Sequence, residues 1–214
     1  MNKQGKQLGN RVMSEVEQYL QLTIGAVLVY NFVLARFLGI CPFLGVSKRL
    51  DTALGMSGAV IFVMTLASFT TSLIYNYLLK EPVVIDGRTF DLSFLQIILF
   101  ILVIASLVQL VEIIVQKISP PLYSALGIYL PLITTNCAVM GAAAIAAKQN
   151  LSVGKSTLFG FFSAIGFALA LVLFSSLRER LELAQVPKPF QGMAIALITA
   201  GILAMTFIGF SGLC

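Results

Sequence analysis

Charged residues punctuate this chain at wide and fairly regular intervals. Windows without a single Asp, Glu, Lys or Arg cover residues 18–35, 52–79, 92–111, 118–147, 156–177 and 189–214, and the charges gather between them. An α-helix needs about 20 apolar residues to cross a bilayer. The pattern therefore predicts an all-α integral membrane protein with six transmembrane helices. Its connections are short: Lys48 to Asp51, Lys80 to Asp91, Gln116-Lys117, Lys148 to Lys155 and Arg178 to Lys188. None has room for a soluble domain, which puts any chemistry within the membrane or at its faces. Residues 1–18, with Lys3, Lys6, Arg11, Glu15 and Glu17, read as a polar N-terminal extension ahead of a transmembrane domain at 19–214.

Two windows are too long for one straight crossing. Residues 118–147 give 30 uncharged positions, and 18–47 give 30 interrupted only by Arg36. A helix of that length would run about 45 Å, against a hydrocarbon core of about 30 Å. Pro42 and Pro131 favour broken half-helices over tilt, because proline removes a backbone donor and disturbs the preceding turn. Broken backbone at membrane depth survives only where protein, a cofactor or a water cavity satisfies it. The oversized windows open spans 1 and 4, dividing the chain into halves of three spans, about 19–116 and 117–214. Three is odd, so two such halves insert with opposite orientation: an inverted 3+3 repeat. Cys41-Pro42-Phe43-Leu44-Gly45 and Cys137-Ala138-Val139-Met140-Gly141 share the spacing Cys-x3-Gly across the halves.

Composition narrows the classes further. Of 214 residues, 58% are hydrophobic and 11% charged, where soluble domains carry roughly 25% charge; mean hydropathy is +0.97. The sequence has no His, which removes His-ligated metals and His-based proton relays, and no Trp. The net charge of +5 sits in the connections, where it sets topology and is no nucleic-acid signal. Without the extension, the side shared with the N-terminus holds Lys80, Arg88, Lys148 and Lys155. The opposite side holds Arg36, Lys48, Arg49, Lys117, Arg178, Arg180 and Lys188. The positive-inside rule then places both termini outside a plasma (inner) membrane.

Cys41 and Cys137 are the candidate chemistry, since each lies in an oversized window beside glycine and at a matched place in its half. Three readings are open on the residues alone: soft thiolate ligands for an iron–sulfur cluster or zinc, small packing residues, or a disulfide. A [2Fe–2S] centre usually takes four thiolates. With Cys214 standing apart at the end of the sequence, two would have to come from a second copy or a paralogue of the same fold. Glu112 is either a cation site or a carboxylate reaching the interface; Arg36 either snorkels or offsets negative charge near Cys41. Asn31, Thr134, Thr135 and Asn136 are hydrogen-bonding groups at the breaks or helix–helix glue. Walker A, Gly-x-Gly-x-x-Gly and Cys-x2-Cys motifs are absent. Ser57-Gly58-Ala59-Val60 lacks the Thr that covalent flavin attachment requires.

These residues resemble a known family. Asn31-Phe32-Val33-Leu34 followed by Phe37-Leu38-Gly39-Ile40-Cys41-Pro42-Phe43-Leu44-Gly45-Val46-Ser47-Lys48 is similar to the first span of the Rnf complex A-subunit family. Leu130-Pro131-Leu132-Ile133-Thr134-Thr135-Asn136-Cys137-Ala138-Val139 is similar to its fourth. Arg178-Glu179-Arg180, Val186-Pro187, the run Ile195 to Gly201 and Gly209-Phe210-Ser211-Gly212-Leu213 also match. Asp91-Leu92-Ser93-Phe94-Leu95 leans towards the related E-type component of the sodium-pumping NADH:quinone reductase. The resemblance implies broken half-helices in spans 1 and 4. It also implies a mid-membrane [2Fe–2S] cluster with Cys41 and Cys137 as two of four ligands. A paralogous partner of opposite topology, of the Rnf E type, would provide the rest. The implied role is an electron relay within a complex that couples ferredoxin:NAD electron transfer to Na⁺ or H⁺ translocation. The competing reading from another class is a secondary transporter with structural cysteines.

Overall fold

The computed structural model describes residues 23–29, 31–79, 84–85, 88–89, 93–118 and 130–209. The extension 1–18, Cys214, most of the 80–91 connection and the opening of the fourth window at 118–129, apart from Ile118, lie outside these residues. A π-helical turn at Gly25–Val29 leads through irregular backbone to the short helix α1 (Ile40–Val46). Next come α2 (Leu50–Ile74), extended by a π-helical turn at Tyr75–Leu79, and α3 (Ser93–Ile118). Between them, two-residue strands pair antiparallel, Val84 with Thr89 and Ile85 with Arg88. The chain continues through α4 (Leu130–Thr134), α5 (Cys137–Lys148), α6 (Val153–Glu182), a 3₁₀ turn at Lys188–Phe190 and α7 (Met193–Ile208).

Three described helices are long and apolar enough to cross a membrane: Leu50–Tyr77, Gln96–Ile114 and Val153–Glu182, with mean hydropathies of 1.8, 2.9 and 2.3. A fourth apolar helix, α7, has 16 residues, or about 24 Å. The helices track the charge-free windows because a charge inside the hydrocarbon is costly, so charges collect where the chain leaves it.

The core forms where α2 lies along α6. Ala53, Met56, Val60, Met64 and Ala67 of α2 are buried, as are Ala164, Phe167, Ala170, Leu171 and Phe174 of α6. Lipid tails are as apolar as leucine, so helix association there depends on close packing rather than on expelling water. Gly160 provides the closest approach: a Cβ at this position would overlap the Ser68 hydroxyl and lie 3.3 Å from the Met64 carbonyl. Ser57, Thr65 and Thr71 fold their hydroxyls onto the carbonyls of Ala53, Ile61 and Ala67 at 2.6–2.7 Å. Each polar group is thereby satisfied within its own helix. The outer helices are apolar outward instead, with Ile98, Leu102 and Leu110 on α3 and Leu197, Ile202 and Met205 on α7 all exposed.

Candidate thiol site at two helix breaks

The first break begins at Asn31, a fully buried side chain with every polar group engaged. Its Nδ2 donates to the Gly166 carbonyl on α6 at 2.7 Å and to the Val27 carbonyl at 3.3 Å. Its Oδ1 accepts from the amides of Val33 and Leu34. One side chain therefore satisfies the backbone on both sides of the interruption and fastens it to α6. Gly166 allows that contact, since a Cβ there would lie 2.8 Å from the Val27 carbonyl. Helical turns over 32–36 then end at Phe37, whose φ is 57°, and Gly39, whose φ is 82°. A left-handed residue stops a right-handed helix, and α1 restarts at Ile40 with Cys41 as its second residue.

The second break is tighter. Thr135 ends α4 by donating both its amide and its hydroxyl to the Pro131 carbonyl, at 3.1 and 3.0 Å. Asn136 then caps α5, its Oδ1 accepting from the Ala138 amide at 3.0 Å, and Cys137 is the first residue of the helix. The Asn136 Nδ2 is buried without a partner among the described residues.

Neither proline makes its break. Pro42 is the third residue of α1, in the first turn, where a missing N–H leaves no helical bond unmade. Pro131 is the second described residue of α4, four positions ahead of Thr135, where the helix is interrupted. The interruptions come from Gly39 and Asn136, through a left-handed φ and a side-chain cap.

The two breaks meet. The Gly39 amide donates to Cys137 Sγ at 2.9 Å, and Cys41 is two residues on, at most roughly 7 Å of backbone away. A Cβ on Gly39 would be 2.7 Å from Phe167 Cε2 and 3.1 Å from Asn136 Oδ1, so only glycine fits there. The repeated Cys-x3-Gly spacing is used reciprocally. Gly141 faces Leu38 of the first break at 3.2 Å, and Gly45 faces Leu132 of α4 at 3.7 Å, both measured from an added Cβ.

α6 anchors the Cys41-bearing helix at its far end. Phe43 of α1 stacks on Phe174 with ring centroids 4.3 Å apart. Arg178 Nη1 donates to the Leu44 carbonyl and to Ser47 Oγ, both at 2.8 Å. A cation at the C-terminus of a helix complements the partial negative charge of its last carbonyls. Its neighbour Glu179 accepts from the Leu50 amide at 2.8 Å, at the start of α2. The adjacent charges thus hold a helix end and a helix start of opposite polarity. The sequence assigned Arg178 to a connection, yet it is only 8% exposed. Its burial depends on the distant Leu44 and Ser47, and apart from the family resemblance no local signal marks it.

Cys41 and Cys137 are both free and exposed. A disulfide is not formed, and neither residue packs in the core. Arg36 is exposed, with its guanidinium 5.9 Å from the Phe32 ring centroid, and Glu112 is half-buried on α3. Among the described residues no group of three or more Cys, Asp or Glu is placed to hold a metal ion. Two exposed thiols at helix starts, one already receiving an N–H bond, are a donor set suited to half of a four-thiolate centre.

A family described as "Rnf-Nqr subunit, membrane protein" matches residues 19–214. A protein from Syntrophotalea carbinolica is 57% identical over 198 residues, covering 92% of this chain and 98% of its own length. One from Pseudoalteromonas translucida is 55% identical over 196 residues, covering 92% and 97%. One from Shewanella piezotolerans is 52% identical over 198 residues, covering 92% and 99%. Each of these relatives is named as the A component of an ion-translocating oxidoreductase complex.

Proposed function

Because the chain belongs to the Rnf-Nqr family of membrane proteins, we propose that it is the electron-relaying membrane component of an Rnf-type ion-translocating oxidoreductase. In this reading Cys41 and Cys137 are two ligands of an intramembrane [2Fe–2S] cluster. A paralogous protein of opposite topology, of the Rnf E type, contributes the other two. The single observation that carries it is the bond from the Gly39 amide to Cys137 Sγ, which joins the two cysteine motifs across 98 positions of sequence. The names of the relatives favour an Rnf-type complex over the NADH:quinone reductase.

The architecture in this proposal is six spans in an inverted repeat, with halves at about 19–116 and 117–214 and both termini outside the inner membrane. Its support is the recurrence, in each half, of a break, a short cysteine-led helix, a long helix and a further apolar helix. The reciprocal glycine–leucine contacts add to it. Such a repeat exposes a central site alternately to the two faces when its halves rock.

The cluster, when bound, supplies a one-electron redox centre. The chain's own residues prepare the place for it. Cys41 and Cys137 present sulfur at helix starts, where the partial positive charge of the first turn favours negative charge. The Gly39 N–H holds one sulfur in register, while Arg178 and the Phe43–Phe174 stack keep α1 from drifting. Added charge in a low-dielectric site is costly unless a cation approaches or the surroundings rearrange. That coupling is the proposed link between ferredoxin:NAD electron transfer and Na⁺ or H⁺ movement.

The test is the Cys41→Ser, Cys137→Ser double variant in the assembled complex, reconstituted in vesicles. Electron transfer and ion uptake should both be lost while the complex remains associated. Wild-type rates of both would show that the cysteines carry no electrons and would overturn the proposal.

A further inference from the structure

The last turn of α6 and the loop that follows enclose a cavity of about 370 Å³ that the thiol site does not use. It lies between Arg178 and Glu182 on one wall and Gln191, Gly192 and Ile195 on the other. The size falls in the range of small-ligand sites, roughly 300–1,000 Å³. The loop wall is ordered by its own bonds: Gln191 Nε2 donates to the Val186 carbonyl at 3.0 Å, and the Phe190 amide to the Pro187 carbonyl at 2.9 Å. Gly192 has a φ of 84°, and a Cβ there would meet nothing within 4 Å, so the chain turns with bare backbone facing open space.

Two charges of opposite sign line this space one helical turn apart. Arg178 is more than nine-tenths buried and spends one terminal nitrogen on Leu44 and Ser47. Nη1 is the one guanidinium nitrogen bonded to a described residue, and Arg178 lines the cavity. Glu182 is exposed and makes no ion pair with Arg178. The helix has 30 residues, about 45 Å, and outruns a hydrocarbon core of about 30 Å. Its polar end therefore sits at headgroup level. α7 begins at the cavity, and Ile198 and Ile202, three and seven residues on from the lining Ile195 and so on the same face, are exposed and form an apolar track running away from it.

We propose that this cavity binds the headgroup of a phospholipid carrying a primary ammonium, phosphatidylethanolamine in chemical class, with its phosphate on Arg178 and its ammonium on Glu182. The apolar track along α7 takes the acyl chains, which selects a lipid over a free phosphate. An anionic glycerol headgroup leaves Glu182 facing no cation. A choline headgroup has charge but no N–H to donate, so it forms no hydrogen bond to the carboxylate.

The experiment places the full chain, purified with its complex and stripped of lipid, in nanodiscs of equal ethanolamine, glycerol and choline phospholipid, and measures retained lipid by native mass spectrometry. Wild type is expected to retain the ethanolamine lipid roughly tenfold over either competitor, the worth of one charge-assisted hydrogen bond. Glu182→Gln should abolish that preference. Ile195→Trp, which fills the cavity without changing charge, should remove the retained lipid altogether. Equal retention of the three lipids by wild type, a preference for the glycerol lipid, or a preference untouched by Ile195→Trp would each overturn the proposal. Should Glu182→Gln fail to fold, the Ile195→Trp arm decides.

Discussion

Gly39→Ala is the most informative perturbation of the site, because two independent costs fall on one methyl group. Gly39 sits at φ 82°, ψ 25°, a left-handed conformation that costs an L-residue about 1–2 kcal/mol. The added Cβ would also be 2.7 Å from Phe167 Cε2, 3.1 Å from Asn136 Oδ1 and 3.2 Å from Ala138 Cβ. Phe167 is fully buried and has nowhere to swing, so the strain resembles overpacking of a core, about 1–3 kcal/mol. The sum is about 2–5 kcal/mol, or roughly 4–20 °C in unfolding midpoint for a chain of this size. Relief comes only by parting the two breaks, which withdraws the Gly39 amide from Cys137 Sγ. Two assays read the result: thermal unfolding in detergent, and the rate of Cys137 alkylation in a Cys41→Ser background. Gly58→Ala is the control, since a Cβ at that position meets nothing within 4 Å and alanine in mid-helix is expected to stabilise by about 0.5–1 kcal/mol. An unfolding midpoint and an alkylation rate both unchanged in Gly39→Ala would refute the reasoning that the breaks are locked together at this residue.

Three further outcomes follow from the same contacts. Asn31→Leu removes a side chain serving four backbone groups and should cost about 2–4 kcal/mol, measured by thermal unfolding. Arg178→Leu leaves the Leu44 carbonyl uncapped and should raise the reactivity of Cys41 towards a maleimide. Arg178→Lys restores only part of the protection, because an ammonium lacks the guanidinium fork; equal protection by Leu would show that the cap does not hold α1. Gly160→Val should separate α2 from α6 at Ser68 and lower the unfolding midpoint more than Gly160→Ala does, with the order Gly, Ala, Val checked in one melting series.

The long helices were legible in the sequence because span length is a one-dimensional rule. The window 52–79 became the helix Leu50–Ile74 with its π-helical extension, and 156–177 lies within Val153–Glu182. Excess length correctly marked where helices are interrupted, but the prolines misdirected the cause. A proline disrupts a helix only past its first turn, and Pro42 does not lie past it. Gly39 and Asn136 act through φ and a cap, features shared with many other glycines and asparagines in a chain holding 17 glycines. Gly160, Gly166 and Arg178 were illegible for a different reason. What constrains each is a partner more than 90 positions away, and spacing along one helix carries no trace of it. Cys41 and Cys137 stood out because each falls in an oversized window and opens the same Cys-x3-Gly spacing.

The central claim is that Cys41 and Cys137 hold half of a cluster completed by a second protein of the same fold, and iron chemistry tests it most directly. The chain is co-expressed with its paralogue, purified as the pair, and assayed for iron and for an EPR signal after dithionite reduction, alongside Cys41→Ser. The expected result is a [2Fe–2S] signal in the wild-type pair that disappears in the variant while the pair stays assembled. A stable, assembled wild-type pair that contains no iron would contradict the assignment.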